Sequence, residues 1–225
     1  MSDPIPELID FGVESLVGDT ELVGRRRGAI LDAATELFGR HGYHETTIKD
    51  IAGAAGVSHG LLYSYVKNKD DVLFLIIARA LESYCVDMTK ALDGVRNPLN
   101  RFKIAFREYC NGVIRNSYST LLAFRHVVSL PRERRDALKS LDHKANMILA
   151  NEIEACINAG HFRAVDPMVA AAMATHLSQA WTLKTWYFSR YSNESEFVEM
   201  TLEMILSALA APHHRNSASA RRNED

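Results

Sequence analysis

The chain has 225 residues, 47% of them hydrophobic and 24% charged, with a formal net charge of −2. That is ordinary globular composition, and its slight acidic balance excludes a protein that coats nucleic acid indiscriminately. No apolar run approaches the roughly 20 residues a membrane helix needs. Cys85, Cys110 and Cys156 are widely separated, which favours buried thiols over disulfides or a zinc site.

The opening Met1-Ser2-Asp3-Pro4 lacks the basic and apolar blocks of a secretion signal, so a cytoplasmic protein is expected. Helical spacing begins with Ile30, Ala34, Leu37 and Phe38, and predicts a first helix over 22–41. Gly42 stops it, and Thr47 with Asp50 three residues on forms a capping box that opens a second short helix, 47–54. Gly56 then breaks the chain before a third, 58–65. On a helical wheel Leu61, Leu62, Tyr65 and Val66 fall inward, onto Phe38, Ile51 and Ala55. His59, Gly60, Tyr63, Ser64 and Lys67 fall outward.

A short helix held out by another short helix is how many proteins read the major groove. Ser58, His59, Gly60 and Leu61 open the reading helix, where Gly60 lets backbone come close and Leu61 suits a thymine methyl. Tyr63 reaches a phosphate through its hydroxyl, while Thr47 and Lys69 flank the pair at helix starts, also suited to phosphates. Arg26, in the run Arg25-Arg26-Arg27, is placed to grip backbone or enter the minor groove. Residues 21–69 carry seven Lys or Arg against five acids, so the basic surplus is local and small.

Further along, a long helix over 69–92 follows Asn68, with Asp70 and Asp71 in its first turn. Cap and proline signals at Asn97-Pro98, Leu130-Pro131, Asp166-Pro167 and Asn193-x-x-Glu196 predict helices over 98–115, 118–128, 131–158, 167–189 and 194–210. Strand alternation is absent. The expected chain is all-α: an arm (1–20), a three-helix helix-turn-helix domain (21–67), a larger helical ligand-binding and dimerisation domain (68–211) and a tail (212–225).

The 98–210 region is rich in aromatic and Met side chains broken by polar ones. Phe106, Tyr109, Arg125, His126, Asn151, Gln179, Trp181 and Lys184 are the candidate contacts to a small ligand, with His176 a further polar interruption. His126 and His176 have no third partner at metal spacing, and no cofactor is expected. The last two helices carry apolar residues wide around their circumference, including Met173, Val198, Met200 and Leu206, and so need a partner beyond their own core.

The segment from Thr47 to Tyr65 resembles the DNA-binding domain of the TetR family of transcriptional regulators. It meets the pattern Thr-[Ile/Val]-x-x-Ile-Ala-x-x-Ala-Gly-Val-Ser-x-Gly-x-Leu-Tyr-x-Tyr, and Val66-Lys67-Asn68-Lys69 continues it. Leu61 departs from the small or hydroxyl residue often found there. The resemblance implies an all-helical homodimer whose carboxy-terminal domain binds a small effector and releases operator DNA. By position it implies DNA contacts from Thr47, Ser58, His59, Gly60, Tyr63, Tyr65 and Lys69. Trp181-Thr182-Leu183-Lys184-Thr185-Trp186 is similar to a stretch in family members that respond to fatty acids or acyl-CoA thioesters, so an acyl-CoA effector is one expectation and another apolar or aromatic effector the alternative. Enzyme chemistry is not expected, since no nucleophile elbow or phosphate-binding glycine loop appears. A ligand- or partner-binding protein without control of DNA is the remaining alternative.

Overall fold

The computed structural model describes residues 20–211, and the expected arm and tail lie outside them apart from Thr20. Among the described residues the chain forms ten α-helices and no strand. These are α1 (Thr20–His41), α2 (Ile48–Ala54), α3 (His59–Tyr63), α4 (Lys69–Ala91), α5 (Pro98–Arg115), α6 (Ser117–His126), α7 (Arg132–Asn158), α8 (Pro167–Leu183), α9 (Thr185–Phe188) and α10 (Glu194–Leu209).

The described residues divide into two compact units. Of the described residues, the first takes 20–81 together with Tyr118–Lys139; the second takes Glu82–Ser117 and 140–211. The helix α4 therefore contributes to both. α6 joins the first unit through contacts no local pattern announces: Tyr118 sits so close to Gly39 that a Cβ there would lie 2.8 Å from its ring.

In the first unit the core is Ile30, Leu31, Ala34 and Phe38 from α1, Ile51 and Ala52 from α2, Leu62 from α3 and the apolar run Val72–Ile77 of α4, all buried. Thr47 makes the capping box, its Oγ1 accepting from the Asp50 N–H at 3.2 Å while Asp50 Oδ2 accepts from the Thr47 N–H at 2.9 Å. Gly56 has φ +65°, the left-handed turn that aims α3 away from α2.

The second unit is built on α5, whose Phe102, Ala105, Phe106, Tyr109, Cys110 and Val113 recur at helical spacing and are all buried. Phe197, Val198, Leu202, Ile205 and Leu209 of α10 and Ala171, Ala174 and Trp181 of α8 complete that core. A single bridge, Phe162 to Ala210, pins the chain after α7 to the end of α10. The three cysteines are free thiols; Cys110 and Cys156 are buried and Cys85 half-buried. The helix expected over 167–189 breaks at Lys184, which has φ −135° and ψ 39°. Residues seven apart on a continuous helix are separated by about 10.5 Å of rise, whereas the rings of Trp181 and Phe188 stack at 6.3 Å. The break and the stacked pair occur together at this end of α8.

Candidate nucleic-acid interface

Ser58 caps α3 by accepting the Leu61 N–H at 3.1 Å, which fixes where the helix begins. α3 and the turn after it are locked into the first unit: Leu62 of α3 and Val66 beyond its end are fully buried, and Tyr65 is 2% exposed. Behind it, Arg27 is buried and its Nε donates to the Tyr65 carbonyl at 3.1 Å, tying α1 to the end of the reading segment. The opposite face is open. Tyr63 is 44% exposed, His59 and Gly60 are exposed, and the His59 and Tyr63 rings meet edge-on at 5.0 Å. An aromatic pair one turn apart on a short helix presents a preformed, aromatic and hydrogen-bonding surface to solvent.

Two expected placements are corrected. Leu61 is 39% exposed, not inward, because α3 ends at Tyr63 and only Leu62 keeps the inner position. That placement suits the groove-facing role assigned to it. Tyr65 is packed inside, so the contact with DNA implied by position is not available to its ring. Of the arginine run, Arg26 is exposed and Arg27 is turned inward.

Two further expected contacts are already engaged. The Thr47 hydroxyl donates to Asp50 Oδ2 at 2.7 Å as well as capping α2, and these hydrogen bonds hold the Asp50 carboxyl below its usual range. The Lys69 ammonium meets three backbone carbonyls of the α1–α2 turn.

The eight candidate effector contacts separate into groups. Phe106 and Tyr109 lie in the interior of the second unit, and Gln179 Nε2 donates to the Tyr109 hydroxyl at 3.3 Å. Burial pushes the Tyr109 phenol well above its ordinary range, so it stays a neutral donor and acceptor. Trp181 is buried against Phe188 and Phe197. Lys184 and Asn151 are exposed, Asn151 in an open cleft beside Arg101 and Glu152. His176 is also exposed and bonded to the Ala172 carbonyl. Arg125 and His126 belong to the first unit instead: Arg125 is exposed, and the His126 ring lies 4.9 Å from Tyr43 and 5.2 Å from His44. Burial first, then the nearby cations, holds the His126 pKa below its ordinary value of 6.5.

Thr182 was not singled out by the sequence. Its side-chain oxygen is buried and has no hydrogen-bond partner. It lies one turn beyond Gln179 on α8, a continuation of the polar positions Thr175 and Ser178. A stripe of hydroxyl and amide residues on an otherwise apolar helix was the available signal.

With this geometry in hand, the likeness to known proteins is specific. Residues 30–76 match bacterial regulatory proteins of the tetR family, and residues 95–209 match the tetracyclin repressor-like carboxy-terminal domain. The chain belongs to the TetR family. It is 36% identical over 194 residues to the HTH-type transcriptional regulator HbdR of Aromatoleum sp. (strain CIB), covering 86% of this chain and 85% of that protein. Among solved structures, a tetR-family regulatory protein from Rhodococcus RHA1 superposes with a TM-score of 0.74 at 23% identity, over 83% of this chain and 98% of that one. The structure of AibR in complex with isovaleryl coenzyme A and operator DNA superposes with a TM-score of 0.67 at 22% identity, over 80% and 97% of the two chains. As a TetR-family member the chain is a helix-turn-helix transcriptional regulator.

Proposed function

We propose that this regulator is a homodimeric repressor that binds a near-palindromic operator and is released by a small apolar effector of the acyl-CoA thioester class. The observation that carries the DNA side is the open face of α3, with His59, Gly60, Leu61 and Tyr63 exposed while Leu62 and Tyr65 lock its back. Those four residues enter the groove, Ser58 starts the helix, and Arg26 supplies a backbone cation.

Dimerisation is supported by the apolar side chains that α8 and α10 leave exposed: Val169, Met173, Leu177, Met200 and Met204. All but Met200 border an apolar groove of about 360 Å³. An exposed apolar face of this kind suits a second copy of the chain. Two copies set two reading helices against successive major grooves, about one DNA turn or a small multiple apart.

The effector side is supported by the interior of the second unit. Phe106, Tyr109 and Trp181 are buried there, and two polar features accompany them: the Tyr109–Gln179 hydrogen bond and the unpartnered Thr182 hydroxyl. A ligand carbonyl, such as that of a thioester, would satisfy that hydroxyl. The AibR structure holds a short acyl-CoA, which gives the effector class its chemical precedent. The α4 helix, common to both units, is the element through which effector binding reaches the reading helix. A cytoplasmic location goes with this DNA-binding role.

The test is to select duplexes from a random-sequence pool with the full chain, then titrate the selected duplex with acyl-CoA thioesters of two to sixteen carbons. A selected near-palindrome that at least one thioester releases is the expected result. Coupling of about 1–3 kcal/mol corresponds to roughly 5- to 150-fold in affinity. Tyr63→Phe weakens binding to that duplex several-fold without moving the unfolding midpoint. Selection of no duplex overturns the proposal; selection without release by any thioester overturns its effector half.

A further inference from the structure

Lysine at the start of α4 sits beside the DNA-reading face, where a phosphate contact is the obvious assignment. The geometry points to a different role: we infer that Lys69 is a positioning residue, which sets the reading helices for DNA without touching it. The inference rests on the reading of α2 and α3 as the DNA-binding element.

An ammonium has three N–H donors. Lys69 Nζ lies 2.8 Å from the Tyr43 carbonyl oxygen, 3.2 Å from that of His44 and 3.1 Å from that of Thr46. The three donors thus face three acceptors, all on the turn between α1 and α2. The same ammonium lies 4.5 Å from the centroid of the Tyr43 ring, a cation–π distance. Tyr43 is itself buried and donates its hydroxyl to Asp70 Oδ1 at 2.6 Å. Consecutive residues of α4 therefore hold the turn from two sides.

This turn leads directly into α2. Thr46 is buried, its hydroxyl donating to the Gly42 carbonyl at 2.8 Å, and the next residue, Thr47, caps α2. Fixing three carbonyls ahead of the cap fixes where α2 begins. Asp71 of α4 performs the matching task on the other side. Its Oδ2 accepts the Lys67 N–H at 3.0 Å, and its Oδ1 pairs with Arg134 at 3.2 Å, which holds the chain leaving α3. The first turn of α4 is thus a jig: Lys69 sets the entry to α2, Asp71 the exit from α3.

Direct phosphate contact and positioning differ in their salt dependence. Removing one phosphate contact lowers the slope of log affinity against log salt by about one unit, whereas a displaced helix weakens binding at every salt concentration alike. The experiment compares wild type, Lys69→Met and Lys69→Gln on the pool-selected duplex across a salt series, with amide hydrogen exchange on the same proteins without DNA. Methionine keeps the apolar stem over Tyr43 and removes the donors. Glutamine restores two donors and no charge.

The expected result is roughly a tenfold or greater loss for Lys69→Met, the scale of hydrogen bonds made by a charged group, with the salt slope unchanged. Lys69→Gln binds more tightly than Lys69→Met, and exchange accelerates in α2 of Lys69→Met but not in α5. A slope lowered by about one unit for each lysine removed, or wild-type affinity in Lys69→Met, overturns the inference. If Lys69→Met fails to fold, the slope and affinity of Lys69→Gln decide by the same criteria. The exchange arm needs no DNA, so wild type that selects no duplex overturns the proposed function alone; unchanged α2 exchange in the variants then overturns the jig.

Discussion

The turns of the first unit and the interior of the second use polar side chains in opposite ways. In the first, each cap answers a backbone group three residues away: Thr47 with Asp50, Ser58 with Leu61, Asn68 with Asp71. In the second, partners come from distant parts of the chain: Arg101 with Glu152, Tyr109 with Gln179, Asn146 with Thr175. Local hydrogen bonds define where a helix begins, and distant ones define which helices meet. In the reading head short sequence sets where each helix starts, while Lys69 and Arg27 reach across the sequence to hold those helices in place; the interior of the second unit rests on distant pairs.

Breaking a distant pair has the largest expected effect. Glu152 has a side chain only 8% exposed, and Arg101 holds both its oxygens, at 2.8 and 2.7 Å. Arg101→Met strands that carboxylate and costs about 3 kcal/mol of stability, read from urea unfolding. Arg101→Met with Glu152→Leu recovers most of the loss; no recovery would show that the arginine's bonds to the Leu92 and Val95 carbonyls dominate instead.

Breaking a local cap costs less. Thr47→Ala removes one side of the capping box and costs about 1 kcal/mol, measured the same way, with the loss in exchange protection confined to α2. Thr182→Val removes a buried hydroxyl that has no partner. It leaves stability unchanged or raises it by up to about 1 kcal/mol, yet weakens binding of the releasing thioester; unaltered thioester affinity would remove Thr182 from the effector site.

The smallest effect is that of pH on His126. Its folded-state pKa lies below its ordinary 6.5, so the unfolded chain binds the proton more readily. Its contribution is complete above pH 6.5 and falls as pH drops through 6.5 toward the depressed folded value. Wild type should lose more stability than His126→Gln between about pH 7 and 5.5, a window that spans that titration; equal losses would show that burial and the neighbouring cations do not depress its pKa.

The same contrast explains what the sequence made legible. Both capping boxes, the glycine stop at Gly42 and the open His59–Tyr63 face depend on residues within a few positions of each other, and each was readable. Tyr65 pointed inward on the wheel as the structure places it, while pattern alone carried it into the DNA contacts. The placement of α6 with the first unit was not readable, because Tyr118 against Gly39 and His126 against Tyr43 join residues some 80 positions apart. Nor was the break at Lys184, where no glycine or proline marks the end of the helix. Lys69 was readable as a cation beside the reader but not as a clamp, since its acceptors are backbone oxygens of another turn.

The central claim, that the open face of α3 enters a duplex twice per assembly, is tested most directly by methylation interference on the pool-selected duplex. Modified guanine N7 lies in the major groove and blocks a helix seated there. The account predicts two interfering patches, related by the symmetry of the site and about one helical turn or a small multiple apart. A single patch, or interference spread without symmetry, would contradict it.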